Sequence, residues 1–296
     1  MINRLKKHSD WWWAYLMVAP SIIGLIILNI WPLIQTVYLS FTRSLGFGRY
    51  EWCGTENYIR MFSDPEIWRS TVNMLLFSLY TVPIGVFLSL VFGALLNAKI
   101  RAKGLYRTVY FLPVVCASAA VAMIWRWMFN GEYGIINFFI TQLGGDKIRW
   151  LTESPTALMA VSAVAVWSRL GYNIVLVIAG LQDIPESLYE SAKIDGAGPI
   201  RRFFSISIPM VSPTLFFVII TTVMEALKQF DFIYMMIFRE NPALESCQTL
   251  LNVFYEYGFV AGEKGFASAI VVLSFCLIML VTVIQFIGQK KWVHYD

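Results

Sequence analysis

QDIPESLYESAKIDGAGPIRRFFSISIP (Gln182–Pro209) is a polar stretch set between two oily runs of the chain. Flanked in this way it is a loop at one membrane face, and its residues predict an ordered helix–turn–helix. Pro185 suits a first helical turn, with Glu186 beside it to complement the positive end of the dipole. Gly196 and Gly198 break that helix, and Pro199 opens a second. A plain connector seldom holds two helices of its own, so the loop is expected to be a docking surface.

Outward from the loop the chain is built for lipid. Its 296 residues are 58% hydrophobic and 14% charged, with mean hydropathy +0.63, whereas soluble domains carry about 25% charged residues. Six apolar runs, near 12–36, 71–96, 108–130, 157–181, 209–236 and 267–288, are each long enough for a hydrocarbon core of about 30 Å, which takes roughly 20 residues. Pro20, Pro32, Pro83 and Pro113 fall inside them, as membrane helices tolerate when neighbours meet the freed carbonyls. The expected fold is all-α integral membrane: six transmembrane helices in one domain, 1–296, with the loop 182–209 on one face.

Lysine and arginine set the orientation. With the N-terminus inside, the inner segments hold twelve basic residues against six acidic ones, and the outer loops eight against eleven. Both ends and the 182–209 loop are then cytoplasmic, and the net charge of +4 reads as a topology signal rather than a nucleic-acid footprint. The inner run Lys99–Arg107 reads as an anchor to anionic headgroups. Trp11–Trp13 fit an interfacial belt at the start of an uncleaved first helix. Asp64–Arg69 predicts a short interfacial helix in the first outer loop. Cys116 and Cys276 read as small apolar fillers; Cys53 and Cys247 lie in outer loops, where a disulfide needs a close approach that sequence does not establish.

Much chemistry is excluded. The only histidines, His8 and His294, lie outside the spans, and no Cys/His cluster has metal spacing. There is no phosphate-cradling G-x-x-x-x-G-K-[ST] loop, nucleophile elbow or H-E-x-x-H. No cofactor or metal is expected, and ATP-driven work requires a separate ATPase.

The spacing Glu190-Ser191-Ala192, three residues, Gly196, nine residues, Ile206-Ser207-Ile208-Pro209 resembles the EAA loop of ABC importer permeases. Ser191 replaces the second alanine and Ile208 the leucine of that pattern. VWSRLGYNIVLVIAGLQDIP (166–185), ALKQFDFIYMM (226–236), GFASAIVVL (265–273), APSIIG (19–24) and YRTVYFLP (106–113) are similar to the carbohydrate-type permeases for maltose, other oligosaccharides and glycerol-3-phosphate. Glu240-Asn241-Pro242 departs from the Gly-Gly-Pro turn frequent in that group. The resemblance implies a type I importer fold in a bacterial cytoplasmic membrane, with a second permease subunit, two ATP-binding subunits and an extracytoplasmic binding protein as partners. It also implies that Glu190 pairs with a basic residue of the ATPase while Ala192 and Gly196 define the fit, with Lys193 beside Glu190 on the same helical surface.

Charges inside the spans are the other candidates, since each costs roughly 2.5–3.5 kcal/mol at a bilayer centre unless it faces a cavity or partner. Arg126 is expected to snorkel from its helix end. Arg169 sits mid-span beside Tyr172 and Asn173, and steps of three put Glu225, Lys228 and Asp231 on one face of a fifth helix. Either these charges form a packing network, or they line a transport path with Gln229 in which Tyr172, Trp167 and Phe230 supply rings for sugar faces. The competing function is an ion-coupled secondary transporter of a small polar solute, using the same charges as a relay.

Overall fold

The computed structural model describes residues 2–46, 48–98 and 103–293. In chain order the helices are α1 (Ile2–Leu25), α2 (Trp31–Leu39), α3 (Glu56–Ser63), α4 (Pro65–Asn97), α5 (Lys103–Val115), α6 (Ser118–Met128), α7 (Ile135–Gln142) and α8 (Thr156–Gln182). They continue with α9 (Glu186–Ile194), α10 (Pro199–Arg202), α11 (Ile208–Met210), α12 (Ser212–Leu227), α13 (Asp231–Met236), α14 (Leu244–Cys247), α15 (Leu250–Tyr255) and α16 (Lys264–Gln289). Wider single turns at Ile26–Ile30, Phe203–Ser207 and Glu256–Val260 join consecutive helices. The all-helical expectation misses one small ribbon: β1 (Thr42–Ser44) pairs antiparallel with β2 (Tyr50–Trp52), Arg43 opposite Glu51.

Four of the six expected spans are single long apolar stretches: Trp11–Leu39, Pro65–Asn97, Thr156–Gln182 and Lys264–Gln289. The other two are broken. The run read as 108–130 bends by 101° between Gly104–Val115 and Ser118–Met128, because Ala117 is extended at φ −61°, ψ 133°. The run read as 209–236 is two changes of direction. Pro199–Met210 meets Ser212–Leu227 at 68°, with Pro213 in the first turn of α12, where its missing N–H is no loss. The helix then stops at Leu227, and α13 starts afresh at Asp231. Among the described residues, four helices are thus long and apolar enough to cross a membrane, or up to six if each bent pair is one span.

The short outer helix expected at Asp64–Arg69 is displaced by a few residues. Glu56–Ser63 forms it, Asp64 is extended as residues before proline prefer, and Pro65 opens the long α4. Lys99, Arg101 and His294 lie outside the described residues.

The chain divides into two compact units. One gathers the chain up to Asp64 with Phe254–Leu273. There the Asn57 amide donates to the carbonyls of Ser40 and Thr42, each at 2.9 Å, pinning α3 under the ribbon. The Arg60 guanidinium lies 4.0 Å from the centre of the Phe266 ring and pairs with Glu263. Trp11–Trp13 and the apolar residues that follow them are exposed along the first span.

The other unit holds Pro65–Val253 and the chain from Ser274 onward. α8 is its axis, with α4 and α5 packed along it and α12 against both α4 and α8. Glycines let the backbones close: a Cβ at Gly93 would stand 2.7 Å from the Val177 side chain, and one at Gly171 only 2.1 Å from the Tyr110 carbonyl oxygen. One core joins Phe77, Val161, Val164, Ile233 and Met236; a second joins Val177, Leu181, Ile184, Val211 and Leu215. Arg126 lies in the last turn of α6, where its guanidinium stands 3.4 Å from the centre of the Phe238 ring. Glu240-Asn241-Pro242 makes a turn tied by Asn241, which donates to the Leu151 carbonyl at 3.0 Å and accepts from the Ala243 N–H at 2.9 Å. Cys53 and Cys247 are both free thiols, so the conjectured disulfide is not formed.

Candidate functional site

Two places in the second unit combine exposed or unsatisfied groups with unusual backbone. The first is the 182–209 loop. Pro185 sits just before α9 with φ −57° and ψ 130°, capping rather than beginning the helix, and Glu186 follows in the first turn. The C-terminal end closes as a Schellman motif: the Ala197 N–H bonds to the Ala192 carbonyl at 2.9 Å and the Gly196 N–H to the Lys193 carbonyl at 3.1 Å. That closure requires a left-handed residue, and Gly196 has φ +73°. Pro199 then occupies the first turn of α10, as its fixed φ favours.

The loop has two different faces. Inward, Ile184, Tyr189, Ile206 and Ile208 pack on the core that joins the ends of α8 and α12. The Tyr189 and Ser207 hydroxyls bond at 2.9 Å. Outward, Glu190, Lys193 and Gly196 are exposed, with Ala192 half-buried. Beside them Ile194 and Ile200 leave 86% and 75% of their surfaces open. These isoleucines were not singled out from the sequence, where each reads as an ordinary member of an amphipathic turn.

The second place is a cleft of about 320 Å³ among α4, α5, α8, α12 and the starts of α6 and α13. Arg169, Tyr172, Asn173, Gln229, Glu225 and Asp231 all line it. Arg169 on α8 faces Glu225 on α12 at 3.6 Å and lies 5.2 Å from the centre of the Tyr172 ring. Asn173, 1% exposed, donates from Nδ2 to Thr222 Oγ1 at 3.1 Å. Its Oδ1 and the Arg169 Nε are buried without a hydrogen-bond partner. Ser118, at the start of α6, donates to Asp231 at 3.0 Å.

The helical step of three expected through Glu225, Lys228 and Asp231 does not exist. α12 ends before Lys228 and the backbone turns at Phe230 (φ −131°, ψ −54°), so Asp231 begins a different helix. Two side chains from later in the chain donate to carbonyls at the break. Thr249 Oγ1 donates to the Gln229 carbonyl at 2.8 Å and Asn252 Nδ2 to that of Phe230 at 3.5 Å. Lys228 is exposed and is not part of the cleft wall. Nor are Trp167 and Phe230: Trp167 meets Trp125 edge-on at 5.3 Å between centroids, and Phe230 stacks on Tyr234 at 5.0 Å. Of the three proposed rings only Tyr172 lines the cleft. Ser118, Thr222 and Cys116 do so unannounced, although Pro113, three residues before Cys116, marks the helix that breaks there.

Residues 81–293 match the family model described as the binding-protein-dependent transport system inner membrane component. The chain is 34% identical over 289 residues to the sn-glycerol-3-phosphate transport system permease protein UgpA of Pectobacterium atrosepticum, covering 96% of each. It is 35% identical to the sulfoquinovosyl glycerol transport system permease protein SmoG of Agrobacterium fabrum, over 92% of this chain and 88% of that one. Identity to the trehalose/maltose transport system permease protein MalF of Thermococcus litoralis is 32%, over 94% of each. A solved bacterial ABC transporter involved in import of the acidic polysaccharide alginate shares the fold. Its TM-score is 0.85 at 19% identity, over 98% of this chain and 99% of that one.

Proposed function

The chain belongs to the binding-protein-dependent transport system inner membrane component family, and from that premise we propose that it forms half of an ATP-driven import path for a sugar or glycerol-phosphate-class solute. Residues 1–296 act as one permease domain with both ends in the cytoplasm of a bacterial cell, following the lysine and arginine asymmetry. A second permease subunit, most simply a different chain, completes the path. An extracytoplasmic binding protein delivers the solute from outside, and a pair of ATP-binding subunits docks below.

The two-faced loop carries this reading. Its outer surface offers Glu190 for a charged pair, Ala192 and Gly196 for close backbone approach, and the open side chains of Ile194 and Ile200 for an apolar groove. Its inner surface is fastened to α8 and α12 through Tyr189, Ile206 and Ile208. A push on the outer face therefore reaches the two helices that hold Arg169, Asn173 and Glu225. The cleft between them, with Tyr172, Gln229 and Asp231, is the solute path on this subunit. Lys228 is left out of the path, since it is exposed at the end of α12 and does not line the cleft.

The ion-gradient alternative used Arg169, Glu225, Lys228 and Asp231 as a relay, whereas membership of a binding-protein-dependent transport family favours the ATP-driven reading. The test is uptake by proteoliposomes holding the complete importer. Accumulation should require internal ATP and its hydrolysis, and should survive an ionophore. Loss of uptake to the ionophore with ATP present would overturn the proposal.

A further inference from the structure

We infer that the cleft at Arg169 admits an uncharged, polyhydroxylated solute and turns anions away. The inference rests on the reading of that cleft as the solute path and narrows its substrate class. Among the described residues lining it there is one cation, Arg169, and two carboxylates, Glu225 and Asp231. The wall is therefore formally negative. Lys228, which would balance it, lies outside the wall, past the end of α12.

Both positive elements of the cleft already face a carboxylate. Arg169 faces the Glu225 carboxylate at 3.6 Å. The first turn of α6, the positive end of that helix dipole, has its Ser118 hydroxyl bonded to Asp231 at 3.0 Å. A phosphate or sulfonate entering here would have to displace Glu225 from Arg169 and then lie beside two carboxylates of its own sign.

Two polar atoms of the wall are left without a hydrogen-bond partner. Asn173 Oδ1 is an acceptor without a donor, and Arg169 Nε a donor without an acceptor. A sugar hydroxyl both donates and accepts, so it can meet an atom of either kind. The Tyr172 ring in the same wall offers an apolar face for the C–H side of such a ring. The volume, about 320 Å³ on this subunit, lies at the small end of ligand pockets.

The complete importer, receptor included, is reconstituted with internal ATP and given an equimolar mixture of maltose, trehalose, sn-glycerol-3-phosphate and sulfoquinovosyl glycerol together with a carbohydrate extract. Solutes accumulated inside are identified by mass. The expected result is ATP-dependent accumulation of neutral solutes at least about ten-fold above any anion. Accumulation of an anion at a comparable rate overturns the inference and leaves the transport reading standing. Accumulation that ignores ATP, or none at all, defeats the transport reading beneath it. As a second arm, Glu225→Gln frees Arg169, and Asp231→Asn removes the other carboxylate; either should raise the anion-to-neutral uptake ratio several-fold. Because that ratio is internal to each preparation, loss of assembled protein does not change it, and an unchanged ratio in both variants also overturns the inference.

Discussion

Tyr189 and Ser207 bond hydroxyl to hydroxyl at 2.9 Å, eighteen residues apart, and so close the 182–209 loop on itself. The bond joins the exposed helix α9 to the turn that leads into α11 and α12, and Ser207 is buried. Tyr189→Phe keeps the ring in its apolar setting and deletes only this tie, which is worth about 1 kcal/mol. The variant should assemble normally yet import fewer solute molecules per ATP hydrolysed. The check is the ratio of uptake to phosphate release in proteoliposomes; a wild-type ratio would show that the tie transmits nothing.

Gly196 is held at φ +73° with open space where a Cβ would stand. The constraint is therefore torsional rather than steric crowding, and residues should rank by their tolerance of the left-handed region. Asn is the mildest replacement, Ala costs about 1 kcal/mol, and β-branched Val costs more. Gly196→Asp adds a carboxylate to the docking face as well, and should abolish substrate-stimulated ATPase activity while the complex still inserts. Stimulated hydrolysis measured across Asn, Ala, Val and Asp should fall in that order.

Burial pushes the Cys247 thiol up from an ordinary 9.0 to about 11. The folded chain thus favours the neutral thiol, and its contribution to stability is whole below pH 9. It is lost as pH rises from 9 towards 11, where the unfolded chain ionises first. The loss is of the order of 1–3 kcal/mol. Melting of the purified protein should show this extra alkaline destabilisation, and Cys247→Ala should remove it. A maleimide at neutral pH should label half-exposed Cys53 well before Cys247.

The residues that announce themselves in the sequence are those whose backbone chemistry is local. Pro185, Gly196 and Pro199 define the loop because proline fixes φ and glycine admits a positive φ wherever they stand, and four long apolar runs become helical spans on length alone. The breaks after Val115 and Leu227 were illegible for the opposite reason. LKQFDFIYMM has no proline or glycine to mark a stop, yet α12 ends at Leu227, and Thr249 and Asn252, some twenty residues on, donate to the Gln229 and Phe230 carbonyls at the break. Hence Arg169, Asn173 and Glu225 were found as charges and amides in oil, whereas Lys228 was placed with them by a periodicity that α12 does not continue. The β1–β2 ribbon is three residues a side, too short for any alternating pattern to register.

Gly171 marks the tightest crossing in the second unit, where a Cβ would fall 2.1 Å from the Tyr110 carbonyl oxygen and 3.0 Å from the Phe111 Cα. Both neighbours are backbone, so nothing flexible can yield. Gly171→Ala should force α5 away from α8 and cost roughly 1–3 kcal/mol, seen as a lower melting temperature in detergent. Gly85, with no atom within 4 Å of a would-be Cβ, is the control, and Gly85→Ala should melt as wild type or slightly higher because a helical alanine restricts the unfolded chain. Equal melting of both variants would mean that α5 and α8 are not in contact.

The Arg169–Glu225 pair separates a packing role from a functional one. Its side chains are 29% and 55% exposed at a separation of 3.6 Å, and pairs so open to solvent couple by no more than about 1 kcal/mol. A double-mutant cycle on Arg169→Met and Glu225→Gln, read as stability, should therefore give a small coupling energy. If the pair serves only packing, uptake should follow that small number. If it shapes the solute path, Arg169→Met should reduce uptake by far more than its effect on melting accounts for, because it removes the donor beside Asn173 that a ligand hydroxyl would meet. Glu225→Gln should instead change which solutes pass. Uptake that tracks stability in all three variants would return these residues to the architecture and remove them from the path.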